Sequence, residues 1–157
     1  MKIKDALYNM DLALNLAEDA FHKDEVPVGA VIVSEQGEIL AQRYNLKETN
    51  YDACAHAEVL AIQKASSELK SWRLNNCSIF VTLEPCPMCL SAILQARIKN
   101  LYFGAYDRKG GSLSLGYNFN KDERLNHKFN VFGGLRHIEC SRILSRFFKQ
   151  KRQKHLK

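Results

Sequence analysis

No stretch of this 157-residue chain approaches the roughly 20 consecutive apolar residues of a membrane-spanning helix, so no membrane helix is expected. The start, Met1-Lys2-Ile3-Lys4-Asp5, leads straight into an amphipathic pattern, with no apolar h-region or small-residue cleavage site, and predicts no secretory signal. Internal repeats and low-complexity linkers are also missing, which leaves one domain over residues 1–157, long enough to bury a hydrophobic core. Cysteines are few and odd in number. Of Cys54, Cys77, Cys86, Cys89 and Cys140, only one pair has ligand spacing, which speaks against a secreted disulfide scaffold and for a reducing, cytoplasmic setting with one metal pair. Cys54, Cys77 and Cys140 are expected to be buried small hydrophobes.

Acid is nearly absent from one end. Residues 136–157 hold eight Lys/Arg against a single acid, Glu139, for a net +7, whereas residues 1–135 hold 15 Lys/Arg and 16 Asp/Glu, for a net −1. The whole excess of the chain's +6 therefore sits at the C-terminal end, where it suits a polyanion. A solvated tail is the other reading of such a run.

What is present is chemically specific. His56-Ala57-Glu58 and, 27 residues after Glu58, Pro85-Cys86-Pro87-Met88-Cys89 spell H-x-E followed by P-C-x-x-C. That is the pattern of a hydrolytic zinc site that removes the amino group of a nucleobase. One imidazole (His56) and two thiolates (Cys86, Cys89) leave the fourth position of a tetrahedral zinc open for water, and Glu58 stays free to move protons. Both clusters fall at junctions into helices, where free N–H groups and partial positive charge favour thiolates. Cys86 and Cys89 lie one turn apart and face the same side. His56 and Glu58, two apart, converge only if the metal lies off the helix end. A structural half-site is the alternative for the C-x-x-C alone. His22, His127, His137 and His155 have no ligand spacing and read as surface or loop residues.

Apolar periodicity predicts a helix over 4–22, strands over 28–33 and 38–44 forming an antiparallel hairpin, and a helix over 55–67. A strand over 78–83, a helix over 87–96 with Pro tolerated in its first turn, and a strand over 101–105 follow. Residues 107–130 read as loop, with a short helix near 122–125, then a last strand at 131–132 and a helix from 138 to about 151. Alternating strands and helices predict a layered α/β fold, its sheet mostly parallel after the first hairpin.

Beyond the zinc motif, Glu25-Val26-Pro27-Val28-Gly29-Ala30-Val31, Trp72-Arg73-Leu74, Val81-Thr82-Leu83-Glu84 and Phe103-Gly104-Ala105-Tyr106-Asp107 lie in order with it. Together these segments closely resemble bacterial tRNA adenosine deaminases (TadA type), within the cytidine deaminase-like superfamily, over nearly the whole chain. The resemblance implies a three-layer α/β/α fold with a central five-stranded mixed sheet, one zinc per subunit, a homodimer, and conversion of adenosine to inosine at the wobble position of an arginine tRNA anticodon (ACG). By position it assigns the zinc ligands to His56, Cys86 and Cys89 and the proton shuttle to Glu58. It places Asn45, Val28 and the backbone of Ala57 around the base. Asp107, Asn126 and His127 fall near the RNA, and Arg146, Lys149 and Arg152, on a basic C-terminal helix of about 138–152, near the anticodon stem. The segment after Asp107 is shorter than the family's usual Gly/Ala segment. Ending a strand in a turn is the other reading of Asn45, and Phe147 and Phe148 read as core. Two alternatives stay open: a deaminase of a free base or nucleotide (cytosine, guanine or deoxycytidylate) on the same scaffold, and an RNA-binding module with a structural zinc.

Overall fold

The computed structural model describes residues 1–156. Four helices and five strands alternate: α1 (Ile3–His22), β1 (Gly29–Val33), β2 (Ile39–Tyr44), α2 (Ala57–Leu69), β3 (Ser78–Leu83), α3 (Pro87–Gln95), β4 (Asn100–Ala105), β5 (Asn130–Gly133) and α4 (His137–His155). The sheet order is β2-β1-β3-β4-β5. β1 is antiparallel to both β2 and β3, whereas β3, β4 and β5 run parallel. This is the five-stranded mixed sheet and three-layer α/β/α arrangement of the cytidine deaminase-like fold.

Alternation along the strands builds both faces. Ala30, Ile32, Ile79, Val81, Leu101 and Phe103 pack with Ala57, Ala61, Leu90 and Ile93 of α2 and α3. Val31, Val33, Phe80 and Ala105 turn the other way, towards Ala6, Met10 and Ala13 of α1 and Cys140 of α4. β1 is buried at every residue because helices cover both its faces.

α1 lies so close to β1 that a Cβ on Gly29 would stand 2.0 Å from the Ala13 carbonyl oxygen and 2.9 Å from the Ala17 nitrogen. Gly29→Ala is therefore expected to destabilise by about 3 kcal/mol, read as a melting temperature lower by roughly 10 °C. An unchanged melting temperature would contradict this packing.

The segment between β4 and β5 departs from expectation. A single 3₁₀ turn forms at Phe119–Lys121, in place of a helix near 122–125. The Asp122 carboxylate takes the Arg124 backbone N–H and its guanidinium, a local bonding pattern that competes with helix. Cys77 and Cys140 are buried as expected, and burial pushes the Cys140 thiol up to about 12. Cys54 is exposed instead, because it lies in the turn before His56, where its N–H is held by the Asp52 carboxylate at 2.8 Å. Among the described residues, no helix is long and apolar enough to cross a membrane.

Candidate active site

Residues at one end of four of the strands contribute to one site. Asn45 follows β2, Val28 precedes β1, Glu84 and Cys86 follow β3, and Asp107 follows β4. His56 is the N-cap of α2, with extended backbone (φ −73°, ψ 150°), and Cys86 is the N-cap of α3 (φ −68°, ψ 168°). Neither side chain caps its own helix, so both are free to face each other. This off-end placement is what lets His56 and Glu58, only two residues apart, serve one site. Cys89, one turn into α3, is fully buried.

His56 Nδ1 lies 3.6 Å from Cys86 Sγ and 3.4 Å from Cys89 Sγ. All three donor atoms fall within 4.8 Å of one another, a group that can hold a metal ion. Zinc with bonds of about 2.3 Å to sulfur and 2.05 Å to nitrogen has a tetrahedral S···N edge of roughly 3.6 Å. The donor set therefore matches zinc in both type and spacing. The Cys86 thiol falls to about 4, first through its hydrogen bond with Cys89 and also through His56, while Cys89 keeps its proton because the neighbouring thiolate holds it. The hydrogen bond with Cys86 raises His56.

Glu58, in the first turn of α2, is 4% exposed, and burial raises its carboxyl above the ordinary range. It lines a cavity of about 210 Å³ together with Val26, Val28, Asn45, His56 and Cys86. That volume falls below the roughly 300–1,000 Å³ of sites for drug-sized ligands and suits a single flat ring system. Asn45 is buried, bonded into the turn that follows β2, and at the wall of the cavity. Its Nδ2 donates to the Val26 carbonyl (3.2 Å), its Oδ1 accepts from the Lys47 N–H (3.1 Å), and the residue still lines the cavity. Ala57, the first residue of α2, has an N–H without an intrahelical partner at the same wall. The Asp107 carboxylate turns inward on its own loop, accepting from Lys109 and Gly110 N–H at 3.1 Å each.

The other sequence-derived positions lie outside this cavity. Asn126 is exposed, and the half-buried His127 ring bonds the Ile98 carbonyl through Nε2 at 2.7 Å. Ion pairs lay α4 alongside α1, running the same way: Arg136 to Asp11 (2.9 Å), Arg146 to Glu18 (2.7 Å) and Lys151 to Asp24 (2.7 Å). Arg146 also covers the Phe21 ring. Phe147 is core as expected, whereas Phe148 is 44% exposed. Lys149 and Arg152 are exposed and, among the described residues, form no ion pair.

Sequence reasoning missed Lys47, Glu84 and Glu25 around this site. Glu84 lines the cavity, and buried Glu25 accepts the backbone N–H groups of Glu48 and Thr49 at 2.9 Å, fastening the loop that carries Lys47. The available signal was an acid placed against an apolar run beside proline, in Leu83-Glu84-Pro85 and Glu25-Val26-Pro27.

Fold and site together define a hydrolytic deaminase, and the family model for MafB19-like deaminases matches residues 4–152. The tRNA-specific adenosine deaminase of Bacillus subtilis is 44% identical over 151 residues, spanning 96% of this chain and 92% of that protein. A solved structure from a study of A-to-I editing by tRNA:A34 deaminases at the wobble position of transfer RNA superposes with a TM-score of 0.83 at 42% identity, covering 87% of this chain and 99% of that one. The chain belongs to the tRNA-specific adenosine deaminase family. The guanine deaminase of Bacillus subtilis is also similar, with a TM-score of 0.62 and 35% identity over 74% of this chain and 71% of that one.

Proposed function

We propose that this protein is a cytoplasmic, zinc-dependent hydrolase that converts adenosine to inosine at the wobble position of an arginine tRNA anticodon (ACG). The observation that carries this reading is the buried Glu58 carboxylate beside the His56-Cys86-Cys89 donor set, in a cavity sized for one base. Bound there, zinc supplies Lewis acidity that makes water nucleophilic near neutral pH. Glu58 accepts the proton of the attacking water, passes it to the ring nitrogen beside the attacked carbon, and helps protonate the departing ammonia. Water is consumed and one ammonia leaves for each inosine formed.

Val28 and Ala57 form the walls for the base. The second amide hydrogen of Asn45 and the remaining lone pair on its oxygen are left to meet a purine edge. An anticodon loop presents bases already splayed from their stack, so extrusion costs little. Along α4, Arg142, Lys149 and Arg152 are exposed and form no ion pair among the described residues, which leaves them for phosphate, whereas Arg146 and Lys151 are engaged with α1. Replacing Lys149 and Arg152 by Ala is expected to lower the salt dependence of stem-loop binding by about two in log–log slope, and Arg146→Ala by less. An unchanged slope would make this helix a bystander. Asp107, Asn126 and His127 belong to the RNA-facing side in this reading, and the working unit is a homodimer, which sedimentation at micromolar concentration tests.

Incubated with an ACG arginine tRNA and then reverse-transcribed, the product is expected to read G at the first anticodon position and A at every other adenosine. Unchanged A at the wobble position would overturn the proposal.

A further inference from the structure

Glu84 has no part in the chemistry described above. It sits between the end of β3 and Pro85-Cys86, is 2% exposed, and among the described residues pairs with no Lys, Arg or His. Its oxygens accept from the loop after β4 instead. The Asp107 N–H reaches Oε1 at 3.2 Å, the Ser114 N–H reaches Oε2 at 2.9 Å, and the Ser114 hydroxyl reaches Oε1 at 2.5 Å. The main chain adds Glu84 N–H to the Ala105 carbonyl and Ser112 N–H to the Pro85 carbonyl, each 2.8 Å. Gly111 packs so tightly here that a Cβ would lie 2.1 Å from Oε2. The loop held by these anchors carries Asp107 and Gly110, which line the cavity.

A buried carboxylate is costly unless neighbouring donors satisfy it, and a loop alone can be closed by uncharged groups. Here both carboxyl oxygens are held by one loop, one proline away from a metal-type ligand. We propose that Glu84 is a positioning residue for deamination: it holds the Asp107–Gly110 wall against the base and thereby sets substrate affinity, while Glu58 moves the protons. This rests on the function proposed above.

Glu84→Gln puts an NH₂ donor where backbone N–H groups need an acceptor. The variant is expected to keep one metal per chain and to exchange the amide hydrogens of Asp107 and Ser114 at least about tenfold faster. Its KM for the ACG stem-loop should rise about tenfold, with kcat within about twofold. Ser114→Ala, at an exposed position, removes only the hydroxyl donor and should move exchange and KM the same way by about threefold. Unchanged exchange and KM in both variants would overturn the proposal, as would a fall in kcat at constant KM, which would put Glu84 in the proton chemistry. Exchange is measured without RNA. If the parent protein made no inosine, the proposed function would fall, and the exchange rates would still decide whether Glu84 fastens this wall.

Discussion

Glu58→Ala is expected to lower turnover on the anticodon stem-loop by at least about 10³-fold, within the range for loss of a positioned acid–base group. Metal content should stay at one ion per chain, because Glu58 is not among the three donor atoms. Near-parental turnover would remove the proton-shuttle role. The same carboxyl has a stability signature. Burial raises it above its ordinary value, so the folded chain holds this proton more tightly than the unfolded chain does. That contribution is complete at acid pH and is lost as pH rises through the raised value. At neutral pH, metal-free Glu58→Gln is therefore expected to melt higher than the metal-free parent. A lower melting temperature would show that the buried carboxylate is stabilising, contrary to its surroundings.

Cys89→Ala is expected to abolish both metal binding and activity. Two ligands remain of a three-donor site, and bound metal stabilises only a chain that can hold it. The parent should lose melting temperature on chelation, whereas the variant should show no response. Without metal, the hydrogen bond between the two thiols lowers Cys86 to about 4 and raises Cys89, so the pair shares a proton that a zinc-bound pair of thiolates cannot keep. Metal loading therefore releases that proton, and affinity should weaken as pH falls. One metal per chain in Cys89→Ala, with full turnover, would contradict the donor set.

The group of His56, Cys86 and Cys89 that can hold a metal was legible in the sequence because each cluster is local: H-x-E at one helix start and C-x-x-C at another. The off-end geometry that His56 and Glu58 required is what the N-cap at His56 supplies. Helix and strand positions were legible through periodicity, as was the parallel run of β3, β4 and β5. Less was legible where contacts join distant residues. The resemblance placed Arg146 near the anticodon stem, and nothing local to it signals its bond to Glu18, 128 residues away. Glu84 carries no local sign that its partners are Asp107 and Ser114, 23 and 30 residues on. Cys54 resembles Cys77 and Cys140 in type, and only its place in a surface turn separates them. Asn45 offered a choice between turn and pocket, and the fold gives it both positions at once.

Guanine is the substrate named for one of the similar structures, so it belongs among the compounds tested. The most direct measurement incubates the purified, metal-loaded protein with an ACG anticodon stem-loop and, separately, with guanine, cytosine, cytidine and deoxycytidylate, following inosine and ammonia together. The expected result is one ammonia per inosine from the stem-loop and none from the free compounds. Ammonia from guanine or deoxycytidylate, with no inosine from the stem-loop, would contradict the tRNA assignment and leave only the zinc chemistry standing.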